Sequence, residues 1–323
     1  MARRASARPQ VVTLLLALAL GQLAIGQAMA APMPGITVSP AYQELTLAEG
    51  QQSVETDISF VNTSSTERAY RLSVADFGSL DESGGVAILG QTASSLDRPF
   101  GLTSWMQLST NDLVLPAQSK RDVTVTIKDR GDLSPGGHYG ALVATLVVDP
   151  RASGDKNAIG VQQQLTSLIL LAKQGGEAPG LKLVSSELNA RPWALPSKVT
   201  QRYQNTGNVH VTPQGSVNLY DPAGRLVTRS VINENSGIVL PDSFRVLSSS
   251  FMPIATAWMP GRYKVVTLYG YDPDHLMKVT SYIWYAGQAI VWLVIAIICL
   301  LLGFGAWVLL RRLQRRDRAH RRK

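Results

Sequence analysis

Cysteine is nearly absent from this chain. Of 323 residues only Cys299 carries a thiol, so no disulfide can form within the chain and its stability must come from packed cores. Histidine is scarce too. His138, His210, His275 and His320 stand apart, none with another His three or four positions on, so metal-ligand spacing is missing. His138, between Gly137 and Tyr139, reads as a strand residue at the end of a sandwich. There is no G-x-S-x-G elbow and no phosphate-cradling G-x-x-x-x-G-K-[ST] loop. Ser153 and Lys156 match S-x-x-K, but they lie in a Gly/Asp/Asn-rich stretch, whereas a catalytic Ser-Lys pair needs a helical turn. Asp76, Asp81 and Glu82 lack the D-x-D-x-D spacing of a calcium loop. The sequence therefore predicts no catalytic residues, no metal and no cofactor, and the chain reads as a non-enzyme. A Leu-Pro-x-Thr-Gly sorting signal is also missing. Leu115-Pro116, Leu195-Pro196 and Leu240-Pro241 each continue differently, which argues against covalent transfer to a cell wall.

Charge is plentiful but unevenly placed. The formal net charge is +8 and the isoelectric point about 9.7, values that taken alone suggest nucleic acid. Three arginines belong to the first ten residues, and eight basic residues with one acid belong to the last thirteen. The remainder holds 20 basic against 22 acidic residues, so its net charge is −2 and nucleic acid is not an expected partner.

Those two termini have their own logic. From Ala289 to Leu310 run 22 residues without a charge, followed by RRLQRRDRAHRRK. A helix of that length covers the ~30 Å hydrocarbon core of a bilayer, and the basic tail 311–323 is expected on the cytoplasmic side. Tyr282, Trp284 and Tyr285 are expected at the outer interface and Trp307 near the inner one. At the other end, Arg3, Arg4 and Arg8 precede an apolar stretch, and Ala28-Met29-Ala30 supplies a small-x-small cleavage site, so residues 1–30 read as a signal peptide. The expected topology is single-pass, with the bulk outside a bacterial cell membrane.

Between the termini the pattern is all-β. Val54, Thr56, Ile58 and Phe60 alternate with Glu55, Asp57 and Ser59, the period of a half-buried strand. The alternation recurs at Tyr70–Val74, Val123–Ile127, Val217–Leu219 and Tyr263–Tyr269, with turn signals between the runs. No amphipathic helix is evident there. A weak repeat suggests two units. Phe60-Val61-Asn62-Thr63, Leu115-Pro116 and Pro135-Gly136-Gly137-His138-Tyr139 are echoed by Tyr203-Gln204-Asn205-Thr206, Leu240-Pro241 and Pro260-Gly261-Arg262-Tyr263. Leu to Tyr is 24 residues in the first half and 23 in the second. In each half Asn-Thr is expected to end a strand, Leu-Pro to turn into one, and Pro-Gly to lead one whose Tyr packs inward. The prediction is two tandem immunoglobulin-like β-sandwiches, residues 36–173 and 180–285, joined by the Gly-rich stretch 173–180, with a transmembrane helix over 289–310.

The halves differ in one interval: Asn62 to Leu115 is 53 residues, Asn205 to Leu240 only 35. The surplus lies at 77–104, where Asp81, Glu82, Asp97, Arg98 and Phe100 are candidate binding residues of a lip; the plainer alternative is an extra edge hairpin.

Val38-Ser39-Pro40, Phe60-Val61-Asn62-Thr63, Tyr70–Phe77, Trp105, Leu115-Pro116, Val123–Ile127 and Pro135–Ala141 together resemble the amino-terminal, peptidoglycan-binding domain of the WxL-interacting proteins of Gram-positive bacteria. The resemblance covers roughly 36–173. In that family a second, host-binding sandwich, a transmembrane helix and a basic tail follow, the order found here. It implies a membrane-anchored surface protein attaching to peptidoglycan and partner surface proteins, and it supplies no catalytic residues. The alternatives are an extracytoplasmic assembly chaperone acting through an exposed edge strand and, in another class, a wall hydrolase or transpeptidase.

Overall fold

A computed structural model describes residues 35–90, 99–147 and 163–320. The expected signal segment 1–30, Asp97, Arg98, the Ser153–Lys156 match and residues 321–323 lie outside the described residues.

Two β-sandwiches follow one another, as the alternation predicts. In the first, β1 (Ile36–Ser39), β3 (Ser53–Asn62), β8 (Ser119–Lys128) and β6 (Met106–Leu108) form one sheet in that spatial order. The facing sheet runs β2 (Tyr42–Leu47), β10 (Gln164–Lys173), β9 (Gly136–Leu146), β4 (Arg68–Ser79) and β5 (Val86–Gly90), with β7 (Asp112–Leu115) also paired to β4. Among the described residues only the β2–β10 ladder is parallel within this sandwich.

The β3–β8 pair shows why period two produces this layer. Ile58, Phe60, Val123, Val125 and Ile127 are almost completely buried, and burying each such side chain is worth about 1.5–3 kcal/mol. Their neighbours face outward in polar pairs at the same register: Thr126 Oγ1 donates to Glu55 (3.0 Å), Thr124 Oγ1 to Asp57 (2.6 Å) and Ser59 Oγ to Asp122 (2.5 Å).

The second sandwich sets β11 (Leu181–Leu188), β12 (Lys198–Asn205) and β15 (Phe244–Ser250) against a five-stranded sheet. That sheet runs β16 (Met252–Pro253), β14 (Leu226–Ile232), β13 (Gln214–Tyr220), β17 (Gly261–Gly270) and β18 (Met277–Tyr285). Tyr203, Val217, Leu219, Tyr263 and Val265 form its centre. A helix, α1 (Gln288–His320), follows, and its Trp292–Arg311 stretch is long and apolar enough to cross a membrane.

The repeated strings turn out to be hydrogen-bonding devices. Asn62 is buried at the end of β3; its amide donates to the carbonyls of Thr66, Leu115 and Pro116, and its oxygen accepts from Ser64 N. Asn205, at the end of β12, donates to Val209 and Val239 carbonyls and accepts from Gly207 N. After each Leu-Pro one residue takes the left-handed conformation, Gln118 (φ 53°) and Asp242 (φ 55°). The serine behind it, Ser119 or Ser243, donates back to the Pro116 or Leu240 carbonyl.

Two expectations are corrected. Tyr139 is buried but does not enter the core of its own sandwich. Leu142 and Ala144 do, while Tyr139, Ala141 and Val143 form the opposite face of β9. Its motif, Pro-Gly-Gly-His-Tyr, has one residue more before the Tyr than Pro-Gly-Arg-Tyr, and a one-residue shift in a strand sends the side chain to the other face. Tyr285, expected at the membrane interface, is buried in the second core, edge-on to Tyr263 with ring centroids 5.3 Å apart. Tyr282 and Trp284 do remain exposed.

Candidate functional site

The outward face of β9 is covered by the second sandwich. Phe77, Tyr139, Ala141, Val143 and Leu170 of the first meet Ile238 and Leu240 of the second in a small apolar cluster. Polar contacts surround it. Gly137 N donates to Asn208 O (2.8 Å), Tyr139 Oη lies 3.3 Å from His210 Nδ1, and His210 Nε2 lies 3.8 Å from a Glu44 oxygen. Burial pushes the His210 pKa down, with Glu44 opposing, so the neutral ring is the form held there. His138, one residue earlier on β9, faces the other way, between the Gly101 and Ser134 carbonyls; burial lowers its pKa too.

The first described part of the segment 77–104, up to Gly90, is a hairpin. β4 continues to Ser79, a turn reverses the chain, and β5 returns along it. Asp81 closes this turn by accepting from Ser83 N, Ser83 Oγ and Gly85 N, which holds its carboxyl below the usual range. Glu82 reaches the second sandwich, where its carboxylate takes a bidentate grip from Arg202 (2.7 and 2.6 Å) and its carbonyl accepts from Val246 N. The Arg202 hydrogen bonds are the main cause of its lowered pKa. Phe100 packs beside Tyr139, with centroids 6.5 Å apart. Asp76 is buried and accepts from Leu102 N and Thr103 N, tying the return of this segment to β4. The sequence candidates Asp81, Glu82 and Phe100 are thus placed along one wall between the sandwiches. Among the described residues no group of three or more His, Cys, Asp or Glu is gathered for a metal ion.

Two hollows open along that wall. A cleft of about 330 Å³ lies between Tyr42, Phe77, Val86, Leu168 and Leu170 of the first sandwich and Ile238, Leu240 and Phe244 of the second. A smaller one of about 230 Å³ lies on the other side of Phe77–Ser79, lined by Phe100, Tyr139 and Leu240. The larger cleft contains Arg245, a residue with no distinguishing sequence signal. Its Nη1 donates to the Ile238 carbonyl (2.6 Å), while Nε is buried without a partner. Among the described residues no carboxylate pairs with it, and desolvation alone lowers its pKa. The guanidinium is wedged between Gly84 and Gly237: a Cβ on Gly84 would collide with Arg245 Nη2, and one on Gly237 would come within 2.8 Å of its Cζ. Gly84 also needs φ +98°, a conformation glycine adopts freely. The arrangement can take an apolar side chain together with a carboxylate.

The cleft also borders the start of β10. β2 pairs with β10 from Leu168 onward and Ser167 Oγ donates to the Pro40 carbonyl, whereas among the described residues Gln164–Thr166 of β10 are laddered on their β9 side alone. Tyr42 and Leu168, where that pairing starts, line the cleft.

No protein-family model matches the sequence, and no curated protein matches it. Among solved structures it is similar to pilus-chaperone structures. A chain from a chaperone–tip adhesin complex of CFA/I fimbriae biogenesis is 9% identical with TM-score 0.42, the match covering 77% of this chain and 98% of that one. One from the Salmonella enterica SafA pilin–SafB chaperone complex is 9% identical with TM-score 0.37, covering 79% and 98%. One from the CsuC–CsuE complex of Acinetobacter baumannii is 12% identical with TM-score 0.35, covering 78% and 98%. At these identities and TM-scores the likeness carries no functional argument, and the site is read from its own residues.

Proposed function

We propose that this chain is a membrane-tethered, extracytoplasmic module that holds a partner polypeptide between its two sandwiches, in a non-catalytic assembly role. The observation that supports it is Arg245: a wedged guanidinium with no carboxylate paired to it among the described residues, in a largely apolar cleft, beside a strand edge that carries no ladder among those residues. A half-buried cation with no counter-ion among the described residues is a poor structural device and a good receptor for a carboxylate. The start of β10, laddered on one side alone among the described residues, offers backbone groups for strand addition, which reads extended polypeptide rather than a small molecule. The serines that line the cleft have no His or Lys base beside them in its lining. In this reading α1 is the tether, the basic tail lies inside, and the sandwiches face outward.

Cell-wall glycan, suggested by the resemblance of the first half, is the competing ligand. Photo-crosslinkers at Val86 and Ile238 in the full chain, expressed in a native-like envelope, separate the two. Crosslinks to discrete polypeptides are expected, and R245Q should weaken capture about tenfold or more, the worth of a charge-assisted hydrogen bond. Crosslinks to glycan alone, or capture indifferent to R245Q, would reject the polypeptide reading.

A further inference from the structure

The point where the second sandwich hands over to α1 carries exposed aromatics from three separated parts of the sequence. Trp284 is on β18, two-thirds exposed at 66%. Trp258, also 66% exposed, lies in the loop before β17. Trp193, 51% exposed, sits at the tip of a tight turn in which Arg191 and Ala194 exchange backbone hydrogen bonds. These loops are fastened to the root of the helix. Ala286 N donates to the Pro192 carbonyl (2.6 Å), Tyr285 Oη lies 3.5 Å from the Ala257 carbonyl, and the Gly287 Cβ position is 3.8 Å from the Trp258 carbonyl. Beside Trp284, the Arg262 guanidinium stacks 3.7 Å from the centre of the exposed Tyr282 ring.

Exposed tryptophan is not scattered over the molecule. Trp105, in the first sandwich, is buried, and the remaining two, Trp292 and Trp307, are on the apolar helix. A soluble surface has no use for three such side chains around one exit point, because each leaves a large ring in water. A bilayer interface does, since the indole body enters the headgroup region while its N–H stays hydrated.

We infer that Trp193, Trp258 and Trp284 form a collar that lays the second sandwich directly on the outer leaflet. The occupant of this surface is the lipid headgroup layer itself, because the membrane begins a few residues further along the same chain. The collar then fixes how the inter-sandwich cleft is presented, instead of leaving it on a swivelling tether. This rests on the tether reading of α1.

The test uses the full chain in nanodiscs containing lipids brominated near the headgroup, which quench nearby tryptophan. One variant, W292F/W307F, reports the collar; a second, W193F/W258F/W284F, reports the helix. Both should lose emission on brominated lipid, and the collar variant should be protected from aqueous iodide. If the helix variant is quenched while the collar variant is not, the docking inference fails and the tether stands. Quenching of neither rejects the tether and the collar together. Collar emission sensitive to iodide but not to bromine leaves the surface for a soluble partner and overturns the lipid assignment.

Discussion

The two sandwiches use the same local parts for different surroundings. Each ends an early strand on a buried asparagine, each passes Leu-Pro into a left-handed residue, and each opens a late strand on a glycine of positive φ, Gly136 or Gly261. Yet the tyrosine after that glycine goes to opposite faces. Tyr263 enters its own core and donates to the Met259 carbonyl (2.8 Å), whereas Tyr139 leaves its core and meets His210 of the neighbouring sandwich. Consequently β17 shows the alternating burial of a sheet with one wet face near its start, while β9 is buried on both faces from Gly136 to Ala144. One inserted residue converts an outer surface into an interface.

The largest effects should come where the halves are alike. Asn62→Ala and Asn205→Ala each strand several buried carbonyls, and each should lower stability by about 2–4 kcal/mol. Urea unfolding of the two variants measures this, and a loss confined to one would break the equivalence. Next, Tyr139→Phe and Tyr263→Phe should separate by location. Each removes a hydroxyl worth about 1 kcal/mol, but hydrogen exchange should rise at the His210 loop in the first case and near Met259 in the second. Acidification acts in the same direction as Tyr139→Phe. His138 and His210 have folded pKa values below the ordinary 6.5, so neutral rings contribute stability above that pH, and it is lost as pH falls through their depressed values. Thermal melts should therefore decline from pH 7 toward pH 5, less so in His210→Gln. The smallest effect belongs to Glu82→Gln. Its pair with Arg202 is partly open to solvent, so overall stability should hardly move and any loosening between the sandwiches should vanish at high salt.

These contrasts show how much was readable in advance. Strand alternation follows from local chemistry, and Ile58, Val123, Val217 and Tyr263 lie inward as period two demands. The repeat was visible as strings, but its content, Asn62 and Asn205 reaching carbonyls 53 and 34 positions away, requires the fold. Of the candidate binding residues, Glu82 was legible as a charge in a long excursion and illegible as a partner of Arg202, 120 positions on. Tyr285 looked interfacial because it adjoins the apolar run; the pairing of β18 with β17 turns it inward. Arg245 gave no signal, since an arginine on a half-exposed strand is ordinary until no carboxylate among the described residues proves to face it.

By itself the sequence determined the features that depend on composition and near neighbours. These are an apolar helix long enough to cross a membrane, a nearly neutral β-rich region, strands with defined inner faces, and turns at Leu115-Pro116 and Leu240-Pro241. Tertiary structure alone decided which buried face meets which. It placed Tyr139 against His210, left Arg245 without a carboxylate among the described residues, and gathered Trp193, Trp258 and Trp284 around one helix root. The reason is physical: hydrophobic periodicity says that a side chain must leave water, but packing between distant segments chooses what replaces the water.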